Sequence, residues 1–420
     1  MRSSLRTVRN LFFIVMMLVI LYAYAMFQGG FVSWFLFFSY LPILLYQFCL
    51  FVYPLHDIKV TRKFSSAAIF AGDTLHVTIE IKRSLPFPLL YTLVEEKLPD
   101  SLKRIDIGPR KYRYVNRPAQ LTINRNMKQA IFPLFRRKME LTYEIKQIPR
   151  GEHVLEHIEI ETGDIFGFIK KKVHLQSQSS LLVYPAERQL IMNKQTFNSQ
   201  QGALMNSVWH FHYTNMATGV REYVPGDKYS WIDWKQTAKN NHIMTKEFDQ
   251  EKNQELLIIL DRTKGSQFNP LLFEAAVELT NALINSIDQV NSMADFISIG
   301  KETKHFSLAN EHDIQIASRY LALTQPSSQQ SFTKQFQYAI ASYRRVTICL
   351  ITTQLDIAFV EVMKQIDTRS QGIVVVLLQR KQDTQTNEHR HLSEQLSRIG
   401  VQLVVLTEQE LVRNYLEVNL

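Results

Sequence analysis

From Asn10 to His56 the chain carries no Lys, Arg, Asp or Glu, an absence no water-exposed segment of that length sustains. Cysteine is nearly missing as well. Cys49 lies inside the uncharged stretch and Cys349 in an apolar run, so no disulfide framework is available, and no Cys-x-x-Cys or Cys/His spacing of a metal site occurs. Nucleotide and hydrolase signatures are also lacking: there is no GxxxxGK[ST], no GxSxG and no HExxH. These gaps exclude P-loop, serine-hydrolase and zincin chemistry of the usual pattern. Beyond the uncharged opening, composition is ordinary, with 46 % hydrophobic and 21 % charged residues overall. Long-range disorder is therefore not expected. At 420 residues the chain is long enough for two or three domains.

What fills the uncharged opening is two apolar runs, residues 11–27 and 31–53, separated by Gln28, Gly29 and Gly30. A bilayer core of roughly 30 Å takes about 20 helical residues, so the second run qualifies easily and the first is just long enough. The pair is expected to form a transmembrane helical hairpin over residues 1–55. Arg2, Arg6 and Arg9 precede it and Lys59, Arg62 and Lys63 follow it, which predicts that both termini are cytoplasmic, with the hairpin in the plasma membrane. A cleaved leader is the competing reading, because Ala23-Tyr24-Ala25 has the small-x-small form of a cleavage site. A second long run following at once favours the hairpin.

Residues 57–187 show period-2 alternation and no long helical pattern. In "LHVTIEIKR" the apolar set is Leu75, Val77, Ile79 and Ile81; in "MELTYEIKQI" it is Met139, Leu141, Tyr143 and Ile145. With "HVLEHIEIE" and "SLLVYPAE" and the turn signals between them, this predicts an all-β, immunoglobulin-like sandwich. Residues 101–150 hold thirteen Lys or Arg against Asp106, Glu140 and Glu144. Nucleic acid is one partner for such a segment, but for a tethered domain the anionic membrane surface is nearer, and nucleic acid is not expected. The plainer alternative is solvated strand faces that resist aggregation.

Residues 188–252 read as an irregular connector. From 253 to 420, buried apolar strands ("ELLIILD", "ADFISIG", "RVTICLITT", "GIVVVLLQR", "VQLVVLTE") alternate with amphipathic helical patterns. That order specifies a doubly wound, Rossmann-type α/β domain whose ligands would sit beyond the carboxyl ends of the strands, near Asp261 and "TTQLD".

Three sets of residues are candidates for chemistry. "LLIILDRTKGS" resembles the first strand of a von Willebrand factor A domain, where an Asp-x-Ser-x-Ser loop holds a divalent cation. Asp261 and Thr263 fit, but Gly265 replaces the second serine, Ser266 falls one residue late, and Thr353 stands where a later carboxylate belongs. A hard cation such as Mg²⁺ wants more charged oxygens, so no cofactor is expected and Asp261 is read as a structural strand-end residue. Asp227, Asp233 and Lys235 in "PGD…IDWK" are the residues of a metal-dependent hydrolase or nuclease reading, although six residues between the acids is too tight for the usual hairpin. His210 and His212 share a strand face, which is two ligands at most.

The densest stretch, residues 219–251, holds two of the four tryptophans, Trp231 and Trp234, with a strong turn signal at Pro225-Gly226-Asp227. Arg221 and Asp227 could pair, and aromatics beside an arginine are the composition of an interface hot spot. An inter-domain clasp and a docking face are both consistent with it. The pattern Gly219, Arg221, Glu222, Tyr223, Gly226, Asp227, Ile232, Asp233, Trp234, Lys235, Thr237, Ala238, then "KEF" and "LLIILD", resembles the bacterial family called domain of unknown function 58. "DIFGF" at 164–168 and "LLVYP" at 181–185 agree with it. One departure is Ser230, where relatives carry Arg or Lys. The resemblance implies two membrane spans, a β-rich domain, a von Willebrand A-like domain, and partnership with a MoxR-type AAA+ ATPase and transglutaminase-like membrane proteins. It implies no catalytic activity. The expected function is thus a non-enzymatic membrane-anchored adaptor, with an anionic-lipid-binding scaffold as a further alternative.

Overall fold

A computed structural model describes residues 2–66, 68–194, 207–208, 217–224, 229–240, 242–248, 256–265, 268–288, 294–327, 332–343, 346–366 and 372–419. These fall into two compact units, Met1–Ile107 with Leu121–Tyr184, and Gly108–Gln120 with Pro185–Leu420.

The first unit opens with two helices, α1 (Arg2–Gln28) and α2 (Phe31–Val52). They reverse at Gly29, whose φ of +64° suits a residue without a Cβ. Tyr22 and Phe37 pack edge to face between them. α2 is 22 residues long with a mean hydropathy of 2.0, long and apolar enough to cross a membrane. The apolar part of α1, Phe12–Gln28, is shorter.

Eight strands follow: β1 (Lys59–Phe64), β2 (Ile69–Phe70), β3 (Leu75–Lys82), β4 (Tyr91–Lys97), β5 (Asn126–Ile131), β6 (Lys138–Ile145), β7 (Gly151–Gly163) and β8 (Lys170–Tyr184). They form two sheets, β1-β3-β6 and β2-β8-β7-β4-β5, antiparallel but for the short β2 beside β8. The two alternating runs that announce this region lie side by side. Leu75 is opposite Ile145, Val77 opposite Tyr143, and Ile79 opposite Leu141. Apolar residues of both sheets, including Ile79, Leu141, Val94, Ile158 and Ile160, share one core with Leu44, Leu50 and Tyr53 from the end of α2. A buried polar contact joins the sheets as well. Arg62 on β1 meets Glu96 on β4 at 2.5 Å, and the Tyr143 hydroxyl on β6 donates to the other Glu96 oxygen at 2.6 Å. Burial and the adjacent carboxylate push the Tyr143 hydroxyl well above the ordinary tyrosine pKa. Arg62 Nη1 donates to the Leu155 and Ser177 carbonyls, which offsets part of the cost of burying the pair, while the buried Arg62 Nε has no hydrogen-bond partner.

The second unit adds β9 (Gln189–Lys194), β10 (Ser207–Val208), β11 (Ala217–Glu222), α3 (Trp234–Asn240), β12 (Met244–Phe248), β13 (Leu256–Asp261), α4 (Pro270–Asp288), β14 (Ala294–Ile299), β15 (Lys304–Ser307), α5 (Glu311–Leu323), α6 (Phe332–Ile340), β16 (Thr347–Thr352), α7 (Ile357–Ile366), β17 (Gly372–Leu378), α8 (Lys381–Thr384), α9 (Asn387–Arg398), β18 (Val401–Leu406), α10 (Glu408–Leu411) and β19 (Tyr415–Asn419). Its main sheet runs β15-β14-β13-β16-β17-β18, parallel throughout except the edge strand β15. Numbered from its first strand the order is 3-2-1-4-5-6, the doubly wound arrangement in which the connections on the two sides of the first strand place helices on opposite faces. Leu257 and Ile259 pack with Phe336, Phe359, Met363 and Leu396 of α6, α7 and α9, while α4 lies against β13 as well. Alternation sends Ile258 and Leu260, both fully buried, to the opposite face. That two-sided burial is why these strands read as continuous apolar runs.

Helix starts follow local chemistry. Asn269 accepts from the Leu271 N–H at 2.9 Å, with Pro270 in the first helical position of α4. Asn310 caps α5 and Thr386 caps α9. The excursion 108–120 belongs to this unit: Lys111 Nζ lies 2.5 Å from Glu278 of α4, and the Tyr112 hydroxyl donates to the second Glu278 oxygen at 2.7 Å. Arg188 donates to the Leu411 and Arg413 carbonyls with its guanidinium over the Tyr112 ring, beside β19, which pairs in parallel with β9.

Candidate functional site

The signature residues assemble a compact motif. β11 and β12 pair antiparallel, Arg221 opposite Thr245 and Glu222 opposite Met244, with a register shift between Ala217 and Gly219. α3 fills the connection. Its first residue is Trp234, and the preceding Asp233 caps it, Oδ1 accepting from the Lys235 and Gln236 N–H groups at 3.1 Å each. Thr237 closes the turn. Its hydroxyl donates to the Asp233 carbonyl at 2.8 Å and accepts from the Met244 N–H at 3.0 Å, tying α3 to β12. Asp233 N–H in turn donates to the Met244 carbonyl, and the buried Ile232 bridges to the buried Thr245. Each of these residues has a local structural task.

The aromatics divide differently. Trp234 is 69 % exposed and Tyr229 79 % exposed, with Tyr229 stacked on Tyr223 at 6.3 Å. Burying a large aromatic is strongly favourable, so two left in water on one short motif are the exception. Arg221 donates to the Glu222 carbonyl at 3.1 Å. Gly226, Asp227, Trp209, His210 and His212 lie outside the described residues. The Arg221–Asp227 pair and the acid pair Asp227–Asp233 therefore have one described member each.

The second candidate cluster sits at the carboxyl end of β13, where doubly wound sheets place their ligands. Asp261 is buried. Its Oδ1 accepts from the Thr263 N–H at 2.9 Å and the Thr263 hydroxyl at 2.6 Å, and its Oδ2 accepts from the Thr352 hydroxyl at 2.8 Å. Burial, only partly offset by these three bonds, pushes the Asp261 carboxyl up to about 6. Gln354 covers the loop, its Nε2 donating to the Thr263 carbonyl, and a Cβ on Gly265 would meet that amide at 2.6 Å. Arg262 turns the other way, donating to the Glu302 carbonyl at 3.0 Å over the Tyr320 ring, while Ser327 pairs with the loop backbone. Among the described residues no group of three or more His, Cys, Asp or Glu converges on a metal-sized site. Ser266 lies outside the described residues. Neighbouring Asp356 accepts from the Phe359 N–H at 2.7 Å at the start of α7.

Sequence reasoning placed Asp261 at a strand end but missed its partner. Thr353 stands in the place of the later carboxylate, whereas the hydroxyl reaching Asp261 belongs to Thr352. Strand parity carries the signal: in β16, Thr352 continues the set of Ile348 and Leu350, which packs with Leu257 and Ile259, and it faces Asp261 only because β16 flanks β13.

The class of protein these features define is a chain with an apolar N-terminal helix, a mostly β region and an α/β C-terminal part. Within that class the chain belongs to a family described as "Protein of unknown function DUF58", whose profile matches residues 219–414. The "Uncharacterized protein YeaD" of Bacillus subtilis (strain 168) is 30 % identical over 382 residues, covering 90 % of each chain. Similarity to solved structures is slight. The CARDB domain of the PF1109 protein from Pyrococcus furiosus gives 11 % identity and a TM-score of 0.18, over 30 % of this chain and 87 % of that one. The major pilin SpaD from Corynebacterium diphtheriae gives 13 % and 0.22, over 35 % and 40 %. Likenesses of this size define no fold.

Proposed function

We propose that the protein is a non-enzymatic, membrane-anchored adaptor that presents its signature motif to a partner, a MoxR-type AAA+ ATPase. The observation that carries this reading is the division of labour within the motif. Asp233, Thr237 and Ile232 are engaged in holding it together, and Trp234 and Tyr229 face water. Exposed aromatics on a rigid motif suit a docking contact better than catalysis. The hydroxyl-bonded Asp261 supports the same view, since its carboxylate is engaged by threonines where a cation would require it free.

In this reading α1 and α2 are a two-span hairpin with both termini in the cytoplasm, in keeping with the basic residues on either side of them. The β unit is an immunoglobulin-like sandwich, supported by two sheets around one core. The α/β unit is von Willebrand A-like, supported by the 3-2-1-4-5-6 order with its antiparallel edge strand. A transglutaminase-like membrane protein is a second partner by resemblance.

Affinity capture of the full-length protein from its native membrane tests the reading. The ATPase is expected with the wild type and is expected to be lost with Trp234→Ala at unchanged folding. Equal recovery with both would refute docking through this motif.

A further inference from the structure

Beyond the two helices, the exposed large apolar side chains of the first unit cluster. Among the described residues all but Ile123 sit on three loops, residues 85–89, 131–137 and 164–168. Phe132 is 70 % exposed and Ile165 72 %, with Phe135 and Phe166 close behind. Contiguous exposed apolar tips of this kind mark an interaction surface.

The loops are built rigidly and fastened to α2. Arg83 donates to the carbonyls of Phe87, Leu134 and Arg136, locking the first two loops together. Leu89 and Leu134 exchange backbone hydrogen bonds, which holds Leu134 at a φ of +48°, a conformation a leucine rarely adopts. Phe87 stacks on Tyr46 and Tyr53, and the Tyr46 hydroxyl donates to the Pro88 carbonyl. On the third loop Asp164 is buried and accepts from Gln47 Nε2 at 3.2 Å and from the Ile169 N–H at 2.6 Å, with Phe168 stacked on Phe13. Gly163 admits no side chain there, since a Cβ would lie 2.5 Å from the Ile169 carbonyl. Lys171 Nζ then closes the end of α2 through the Phe51 and Tyr53 carbonyls. The first and third loops thus meet α2 at Tyr46 and Gln47, five or six residues before Val52 or roughly 8 Å along the axis at 1.5 Å per residue, and the second is fastened to the first.

We propose that these tips insert Phe132, Phe135, Ile165 and Phe166 into the interfacial layer of the bilayer that α2 crosses. Arg136, Arg137 and Lys170 sit on the anionic phosphates above them. The depth fits, because side chains lying in the interface reach about 5–10 Å in. Charge fits too: residues 131–138 and 164–172 carry six Lys or Arg against the buried Asp164. Lys138 and Lys172 pair with glutamates and Lys171 with carbonyls at the end of α2, while Arg136, Arg137 and Lys170 are exposed beside the tips. The β unit would then be seated on the membrane as a rigid body, not tethered beneath it. This inference rests on the membrane reading of α2.

The test uses the full chain in single-copy nanodiscs containing anionic lipid, with Cys49→Ala and Cys349→Ala as background. A polarity-sensitive fluorophore is attached in turn to Phe132→Cys, Phe166→Cys, the helix control Leu45→Cys and the far-end control Lys146→Cys. Both loop labels are expected to shift to the blue and to lose most emission to lipids bearing a nitroxide just below the headgroup. They should lose less to a nitroxide near the chain ends, and the Lys146 label should stay aqueous. Quenching at Leu45 with aqueous loop labels would overturn the insertion alone. No quenching at any of the three would overturn the span as well. Blue-shifted loop labels that no lipid quenches would mean a protein contact, and would also overturn it.

Discussion

Asp261 shows how little separates a structural carboxylate from a metal ligand. Holding its carboxyl up to about 6 against 3.8 corresponds to about 3 kcal/mol against ionisation in the folded state. The folded state therefore binds the proton more tightly than the unfolded one, and stability falls as pH rises from about 4 to about 6, then levels. Asp261→Asn removes this dependence. The wild-type advantage over the variant is expected to shrink by about 1.4 kcal/mol between pH 5 and pH 7, read from thermal unfolding of the detergent-solubilised protein. A constant difference would mean that Asp261 ionises normally. At pH 7, Mg²⁺ or Mn²⁺ is expected to leave the melting temperature unchanged; a site filled at a hundred times its Kd would add about 2.7 kcal/mol. The role of Asp261 was legible as a strand end followed by an incomplete cation loop. Thr352 was not, because its part depends on which strand lies beside β13, and that is settled by the whole sheet.

Among elements, those with a strong local period were readable. β3, β6 and the strands of the parallel sheet announce themselves through spacing, since each buries one face or both. What stayed hidden are contacts between residues far apart in sequence. The excursion 108–120 looks like more of a basic, strand-rich segment, yet Lys111 is buried against Glu278 on α4, and Arg150 is also buried. The basic stretch 101–150 is accordingly not one exposed surface. Removing one partner of such a pair leaves an uncompensated buried charge, so Glu278→Ala is expected to cost about 3–5 kcal/mol of stability. Unfolding of Glu278→Ala beside an exposed-pair variant such as Lys138→Ala, expected near zero, checks this. The cap of α3 is a smaller effect: Asp233→Ala should cost about 1 kcal/mol. Loss of far more would point to a role for Asp233 beyond capping.

At the scale of the whole molecule, an apolar helix built into the core of a β unit would, in the proposed reading, couple anchoring to folding. Leu44, Leu50 and Tyr53 lie in the same cluster as Ile79 and Ile158, so the C-terminal end of α2 is part of the β fold. Extraction of native membranes with alkaline carbonate is expected to leave the full-length protein in the pellet; release into the supernatant would contradict the span. The signature motif was legible as a pattern of residues, while its division between holding residues and presented aromatics was not, because exposure of Trp234 depends on which side of α3 meets β12. The most direct test of the adaptor account is quantitative capture of the AAA+ ATPase on full-length wild type and Trp234→Ala from native membranes, with melting temperature measured in parallel. The account predicts loss of the ATPase with Trp234→Ala and little change in melting. Unchanged ATPase recovery, or a variant that melts far below wild type, would contradict it.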